Sequence, residues 1–533
     1  GSALEQTVLR GSLIKLYSSK FLVVILPTIF FCTSIIMRDN AGPFWLWSNL
    51  DPDYAYLLDS LNMINSRWPQ EMAHPGITLD LIGAIIIKGL HPLLSKNELT
   101  RLVLTEPEHY LQIIAHALIT LNTIGLITLG FITFSVFKDW IPVVLMQMAP
   151  FLSKLIFKWS LHVAPEPLLL TTVICLSTVI ILSLRHNESR NLGYRYIVAF
   201  SFLCGFGLTT KLTSLSIYLL PIFLLGNFRL IFKYIAGSVF FISLLALPAA
   251  GSLNLVVDQI IAISSAVGHH GHGASGFIDF QDYPKNLIRV SSRPIFFLPL
   301  LVGFFLLIIS KWRYPKQYDE KTWKALAGYC LACFLQAIVV AKHPSGHYMI
   351  PALALAGLGL TLIYTLLKSL LIKHDGGVKK LRYFFGIFLF ALSINQCLTI
   401  KKLNDQFVER AFIAQELDEK KYKKCAKIYV WSASNAQYGL FFGSWNTKGS
   451  FTNELSMYYP DKTIMYMIND GKLYDFSGAR QISTLHSDHQ CIFVRGAKPD
   501  QSIKVLAHIG SNYKIRDACK IGAEKIITWG IKC

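Results

Sequence analysis

Charge is what this sequence has little of. Only 16% of its 533 residues are Asp, Glu, Lys or Arg, against about a quarter in a soluble globular protein. With 53% hydrophobic residues and a mean hydropathy of +0.44, the chain holds more apolar side chains than one soluble core can bury, and they must meet lipid. Acidic residues are scarcer than basic ones, 32 against 51, which leaves a net charge of +19. That surplus is spread through short loops between apolar runs rather than gathered on one soluble module. It is therefore read as membrane topology and not as a nucleic-acid footprint. No P-loop and no dinucleotide glycine pattern is present. Internal repeats, the usual mark of a transporter, are missing as well.

The ten cysteines divide in two. Cys32, Cys175, Cys204, Cys330, Cys333 and Cys397 lie in or beside apolar runs and read as small hydrophobes. Cys330 and Cys333 form a CxxC, but inside a span and with no second pair, which argues against redox or metal work. Cys425, Cys491, Cys519 and Cys533 fall in the tail, where an even number permits two disulfides in an oxidising compartment. Their pairing is not legible from spacing. Gly1-Ser2-Ala3 reads as an added scar, and the first run, lacking a small-residue cleavage site, as a retained anchor.

A membrane-spanning helix needs about 20 apolar residues. Eleven runs qualify, near 21–37, 110–136, 140–157, 166–184, 196–210, 213–226, 235–251, 294–310, 325–341, 348–367 and 383–400. The fifth and sixth are short, and one helix broken around Thr209-Thr210-Lys211 is an alternative. Lys and Arg alternate in accord with eleven spans. Arg10, Lys15 and Lys20, then Arg185, Arg190 and Arg195, then Arg229 and Lys233, then Lys311 to Lys324, then Lys368 to Arg382, all fall on one side, the cytoplasmic one by the positive-inside rule. The expected fold is thus an α-helical polytopic membrane protein with a small C-terminal α/β domain. Residues 1–400 would form the membrane part, with exterior loops at 38–109 and 252–293, and 401–533 the exterior domain. Within the first loop, 77–94 reads as an interfacial amphipathic helix. In the tail, 427–431, 463–468 and 490–494 read as strands and 452–460 as a loop.

Polar groups at the exterior face are costly unless they line a cavity. Asp51-Pro52-Asp53-Tyr54 offers a carboxylate as general base, and equally an N-cap followed by proline at the first helical position. His74-Pro75-Gly76 is a turn on its own terms. Glu166 in Ala164-Pro165-Glu166-Pro167 suits a cavity role, and equally the positive end of a helix dipole. Lys342-His343-Pro344-Ser345-Gly346-His347-Tyr348 suits a phosphate, or plain solvation of an outer loop. His269, His270 and His272 would be the residues for a divalent metal, for a substrate contact, or merely part of a glycine-rich loop. Lys285, Arg289 and Arg293 oppose the positive-inside trend, which an anionic lipid phosphate would explain.

This order of elements resembles the GT-C superfamily of membrane glycosyltransferases, in the branch that holds protein O-mannosyltransferases and the aminoarabinose transferase of lipid A. The likeness spans about 20–400. It rests on the acidic motif after the first span, the following His-Pro, Gly207-Leu208-Thr209-Thr210-Lys211 at a helix end, and Lys342 to Tyr348 followed by Pro351. Two departures stand out: Asp-Pro-Asp where the family often has Asp-Glu, and His-Pro-Gly for His-Pro-Pro. They leave open which of Asp51 and Asp53 is catalytic. The resemblance implies inverting transfer of a sugar from a polyprenyl-phosphate donor to a lipid, glycan or protein acceptor, at the periplasmic face of a bacterial inner membrane. Asp53 or Asp51 would be the base. His74, Glu166, Lys211, His269, His270, His272, Arg289, Arg293, Lys342, His343, His347 and Tyr348 would bind substrate and phosphate. No cofactor is certain, although a divalent metal is compatible. A transporter or flippase for a lipid-linked or anionic substrate is the alternative.

Overall fold

The computed structural model describes residues 21–46, 51–185, 193–267, 274–374, 376–416, 419–430, 435–460, 464–467, 471–480, 490–496, 500, 515–521 and 524–533. Among them, seven helices are long and apolar enough to cross a membrane: Pro107–Phe137, Pro165–Leu184, Phe228–Ser265, Pro294–Arg313, Glu320–Lys342, Gly346–Leu371 and Gly377–Phe412. They account for seven of the eleven expected runs. Two further runs form single helices of 16 and 17 residues, Ile25–Asn40 and Tyr194–Thr210. The remaining two are broken. Residues 140–157 divide into Trp140–Gln147, a 3-10 turn holding Pro150, and Lys154–Trp159, whose start is capped by the Ser153 hydroxyl. Proline has no N–H to continue a helix ladder, and an added cap starts a new helix. Beyond Thr210 the chain is extended at Lys211 and then forms the 3-10 segment Leu212–Leu219. This segment folds back on the helix it left, because the Ser214 hydroxyl reaches the Gly207 carbonyl at 3.4 Å. A Cβ on Gly207 would collide with the Tyr218 hydroxyl. The two short runs thus form a hairpin with Lys211 at its tip rather than one broken helix.

The two ends of the bundle are chemically distinct. At one end Asp139 receives Lys368 at 2.8 Å, Arg382 at 3.2 Å and the Tyr364 hydroxyl at 2.8 Å, joining the start of Trp140–Gln147 to two later helices at the basic side. At the other end the first loop is stitched to the helix Tyr194–Thr210. The Gly76 N–H donates to the Thr210 carbonyl at 3.0 Å, and the Thr78 and Thr210 hydroxyls lie 2.5 Å apart. Gly76 has φ +59°, and a Cβ there would meet the Tyr56 ring at 2.2 Å, so the His-Pro-Gly turn requires its glycine. That loop contains the helices Asp51–Ile64, Ile77–Leu90 and Lys96–Thr105. The helix expected over 77–94 ends at Leu90, before His91-Pro92.

The last long helix, Gly377–Glu416, carries the chain through residue 400 towards the tail. There β1 (Cys425–Val430), β2 (Ile464–Met467), β3 (Lys472–Asp475), β4 (Gly478–Arg480), β5 (Cys491–Gly496), β6 (Arg516–Ile521) and β7 (Glu524–Trp529) form one sheet of order β4-β3-β2-β1-β5-β7-β6. β1 runs parallel to both β2 and β5, and the other pairs are antiparallel. All three expected strands are present. Disulfides join Cys425 to Cys491, which face each other across β1 and β5, and Cys519 to Cys533. The expected loop at 452–460 is instead the helix Thr452–Tyr458, whose Glu454, Leu455 and Met457 are good helix formers. The helix Ala436–Asn446 lies on Asp51–Ile64, with Gly439 and Gly443 against Tyr54: a Cβ on either would come within 2.6 and 2.9 Å of it.

Candidate active site

The stitched end of the bundle collects the helix termini that carry the predicted site. Asp53 is fully buried near the start of Asp51–Ile64. Its Oδ1 accepts the Val163 N–H at 2.7 Å, and its Oδ2 lies 2.9 Å from His162 Nδ1. Val163 and His162 immediately precede the helix Pro165–Leu184, so Asp53 is tied to the helix that begins with Glu166. Burial pushes the His162 imidazole down from its ordinary pKa, while Asp53 opposes that shift. The net effect favours a neutral ring that can accept a proton.

Glu166 and Lys211 form a buried ion pair, each 2% exposed, with Nζ 2.5 Å from Oε1. The pair joins the start of one spanning helix to the hairpin tip. The Lys211 ammonium also sits 4.8 Å from the centroid of the Tyr348 ring. The Tyr348 hydroxyl lies 2.9 Å from His74 Nε2, and the His74 carbonyl accepts from Tyr56 at 3.2 Å. His347 is paired with Ser345 at 2.8 Å and packs on Trp159, which also packs on His162, at ring distances of 4.8 and 4.9 Å. An aromatic and imidazole chain thus runs from Asp53 through His162, Trp159 and His347 to Tyr348, Lys211 and His74.

Beside it lies a cavity of about 220 Å³ lined by His74, Thr213, Lys342, His343 and Tyr348, with apolar walls from Ile260 and Val339. Lys342 is half-buried and sits over the Phe277 ring at 4.1 Å, with the Ser264 carbonyl 3.5 Å from its Nζ. Arg293 enters next to Gly346: its Nη2 would lie 3.0 Å from a Cβ on that glycine. Arg293 Nη1 and Thr213 Oγ1 are buried and have no hydrogen-bond partner among the described residues. Buried donors in that condition cost free energy until an acceptor arrives, and a guanidinium calls for an anion. Burial also lowers the Arg293 pKa from its ordinary value.

Asp53, His74, Glu166, Lys211, His347 and Tyr348 therefore form one connected cluster, with Lys342 and His343 lining the cavity beside it and Arg293 next to Gly346. Arg289 stands apart: it is exposed and donates to the Pro344 carbonyl at 3.0 Å. The Asp51 side chain and His269, His270 and His272 lie outside the described residues. Among the described residues, no group of three or more His, Cys, Asp or Glu is arranged to hold a metal ion. Sequence reading missed His162 and Trp159, although His162 lies four residues before the Glu166 that was singled out. It also missed Glu108, which accepts from the Phe44 N–H at 2.7 Å and from the Tyr54 hydroxyl, and Arg38, stacked 4.0 Å over Phe44.

No protein-family model and no curated protein matches the chain. Two solved structures are similar to it over nearly their whole length. ArnT from Cupriavidus metallidurans bound to undecaprenyl phosphate is 11% identical and covers 95% of this chain and 98% of its own, with a TM-score of 0.43. The same protein in the apo state is 11% identical, covers 96% and 98%, and has a TM-score of 0.45.

Proposed function

We propose that this protein is a glycosyltransferase of the membrane exterior that takes its sugar from a polyprenyl-phosphate donor. The observation that carries this reading is the buried cluster at the stitched end. Separate chain segments bring a carboxylate–imidazole couple, a buried Lys211–Glu166 pair, and Arg293 Nη1 and Thr213 Oγ1, which have no hydrogen-bond partner among the described residues, to the same end of the membrane helices.

In this reading the acceptor hydroxyl gives its proton to the Asp53–His162 couple as its oxygen attacks the anomeric carbon. The bond from that carbon to the phosphate oxygen breaks, with inversion, and the lipid phosphate leaves. Both Asp53 oxygens are engaged by protein, so the geometry favours Asp53 as the group that orients His162 and stabilises the imidazolium, with His162 receiving the proton. Negative charge growing on the phosphate meets Arg293, Lys342 and the Thr213 hydroxyl. Donors aimed at developing charge in a dry site need no reorganisation as the bond breaks. The prenyl tail would lie along the lipid-facing helices Phe228–Ser265 and Pro294–Arg313, whose Val257, Ile260, Ile261, Phe297 and Phe304 are exposed.

The test is reconstitution of the purified chain with a panel of polyprenyl-phosphate sugars and mass spectrometry of the products. Release of free polyprenyl phosphate with a sugar-bearing product, lost in the Asp53→Asn protein, is the expected result. Vectorial movement of the lipid across sealed vesicles without any covalent product would overturn the reading in favour of a flippase.

A further inference from the structure

A second cleft lies away from the cluster, between the first exterior loop and the tail. It has a volume of about 580 Å³, and Asn62, Arg67, Trp68, Gln70, Asn453 and Glu454 are among its walls. We infer that this cleft binds an oligosaccharide, the acceptor's own glycan, and so makes the acceptor a saccharide-bearing molecule. The inference rests on the transferase reading for the word acceptor, but its chemistry stands on the cleft alone.

Sugar rings present an apolar face rimmed by hydroxyls, each of which donates and accepts. The cleft is built in the matching way. Trp68 is 49% exposed and offers a broad, rigid face. Amides and hydroxyls that can both donate and accept surround it. Arg67 and Glu454 face each other across the opening at 3.9 Å, with the Arg67 guanidinium 5.3 Å over the Phe451 ring. The tail wall is held in an unfavourable conformation: Lys448 has φ +54° and Phe451 φ +61°. For a buried, bulky aromatic that is a real outlier, and such strain gathers at ligand sites. The loop wall is fixed by Asn62, whose amide donates to Asp59 and to Ser450, both at 2.9 Å. Peptide ligands, by contrast, are usually taken up by a sheet edge or an apolar groove.

Asn62 and Asp53 share one helix. At 1.5 Å per residue, nine residues separate them by about 14 Å along its axis. That exceeds one sugar ring, so a glycan reaching both has several units. An apolar groove of about 770 Å³ adjoins the cleft at Arg67 and Trp68 and runs to Ile85 and Leu81. The glycan can therefore be soluble or carried on a lipid anchor.

The experiment uses the purified full chain in detergent on an array of bacterial oligosaccharides, each printed both free and on an acyl anchor. Retention of a defined subset is expected. Trp68→Ala or Asn453→Ala should weaken it at least about tenfold, which is the loss of one good contact. Asp53→Asn should retain the same subset. Unchanged thermal unfolding shows that the variants fold, and Glu454→Gln provides a milder second lesion. The inference is overturned if no oligosaccharide is retained or if retention survives both alanine variants. It is also overturned if only acyl-anchored forms bind and Trp68→Ala leaves that binding intact, which would assign the ligand to the apolar groove. Glycan retention without sugar transfer from any polyprenyl-phosphate donor would sink the transferase reading alone.

Discussion

Replacing Lys211 by methionine keeps a long, slender side chain against the Tyr348 ring but removes the cation placed 2.5 Å from Glu166. At an effective dielectric near 20, two unit charges at that distance attract by about 7 kcal/mol. Most of this offsets the cost of having taken both groups out of water, since each is only 2% exposed. The single substitution exposes that hidden cost. Glu166 is left charged, buried and unpaired, and the expected loss is about 3–5 kcal/mol. Glu166→Gln strands the ammonium in the same way. The double variant strands neither charge and should sit near the wild type, with a coupling energy of about 3 kcal/mol or more, well outside simple additivity. Denaturant unfolding of the four proteins in mixed micelles closes the cycle. Single variants within about 1 kcal/mol of wild type, or a double variant equal to their sum, would show that the pair is not the buried clamp described here.

Asp53→Asn should lower the transfer rate by about 10²–10⁴-fold, the usual worth of general-base assistance, and His162→Gln should match it, with single-turnover kinetics as the readout. If Asp53→Asn fails and His162→Gln does not, the aspartate acts alone. Arg293→Ala should raise the KM for a polyprenyl-phosphate sugar, or lower kcat, by about tenfold or more if the phosphate sits against Nη1, because a charged hydrogen bond contributes about 1.5–3 kcal/mol. Burial lifts the Asp59 carboxyl from 3.8 to about 6. The folded state then holds that proton more tightly than the unfolded one, so its stabilisation is full below pH 4 and is lost as pH rises through 6. Across that window the wild type should lose about 3 kcal/mol relative to Asp59→Asn, measured as the difference between their stability profiles.

Most of the membrane architecture could be read from the sequence because a span writes its length and polarity directly into composition. Lys368 and Arg382, which the sequence placed on one basic side, do meet Asp139, 229 and 243 residues away in the chain. The two broken runs were not legible, because hydropathy sums over a window and does not register Pro150 or the extended backbone at Lys211. Glu166, Lys211, His74 and Tyr348 stood out as polar groups in apolar surroundings, and they converge. His162 and Trp159 did not, since each reads as an ordinary residue of a connecting segment until the fold brings Asp53 and His347 against them. The helix at Thr452–Tyr458 was mistaken for a loop because Gly449, Asn453 and the flanking tyrosines favour turns locally, while its burial of Leu455 is a tertiary effect. The Cys425–Cys491 pairing follows from strand neighbours, which cysteine spacing does not encode.

Gly439 and Gly443 press the tail's helix onto Tyr54, the residue next to Asp53. The tail is thereby packed behind the proposed Asp53–His162 couple rather than hung from the membrane part as an appendage. The sheet that follows it is fastened by two disulfides, which form in oxidising surroundings. On the proposed reading, reducing those disulfides should loosen the support behind Asp53 and slow transfer, a redox dependence that the buried cluster alone would not show.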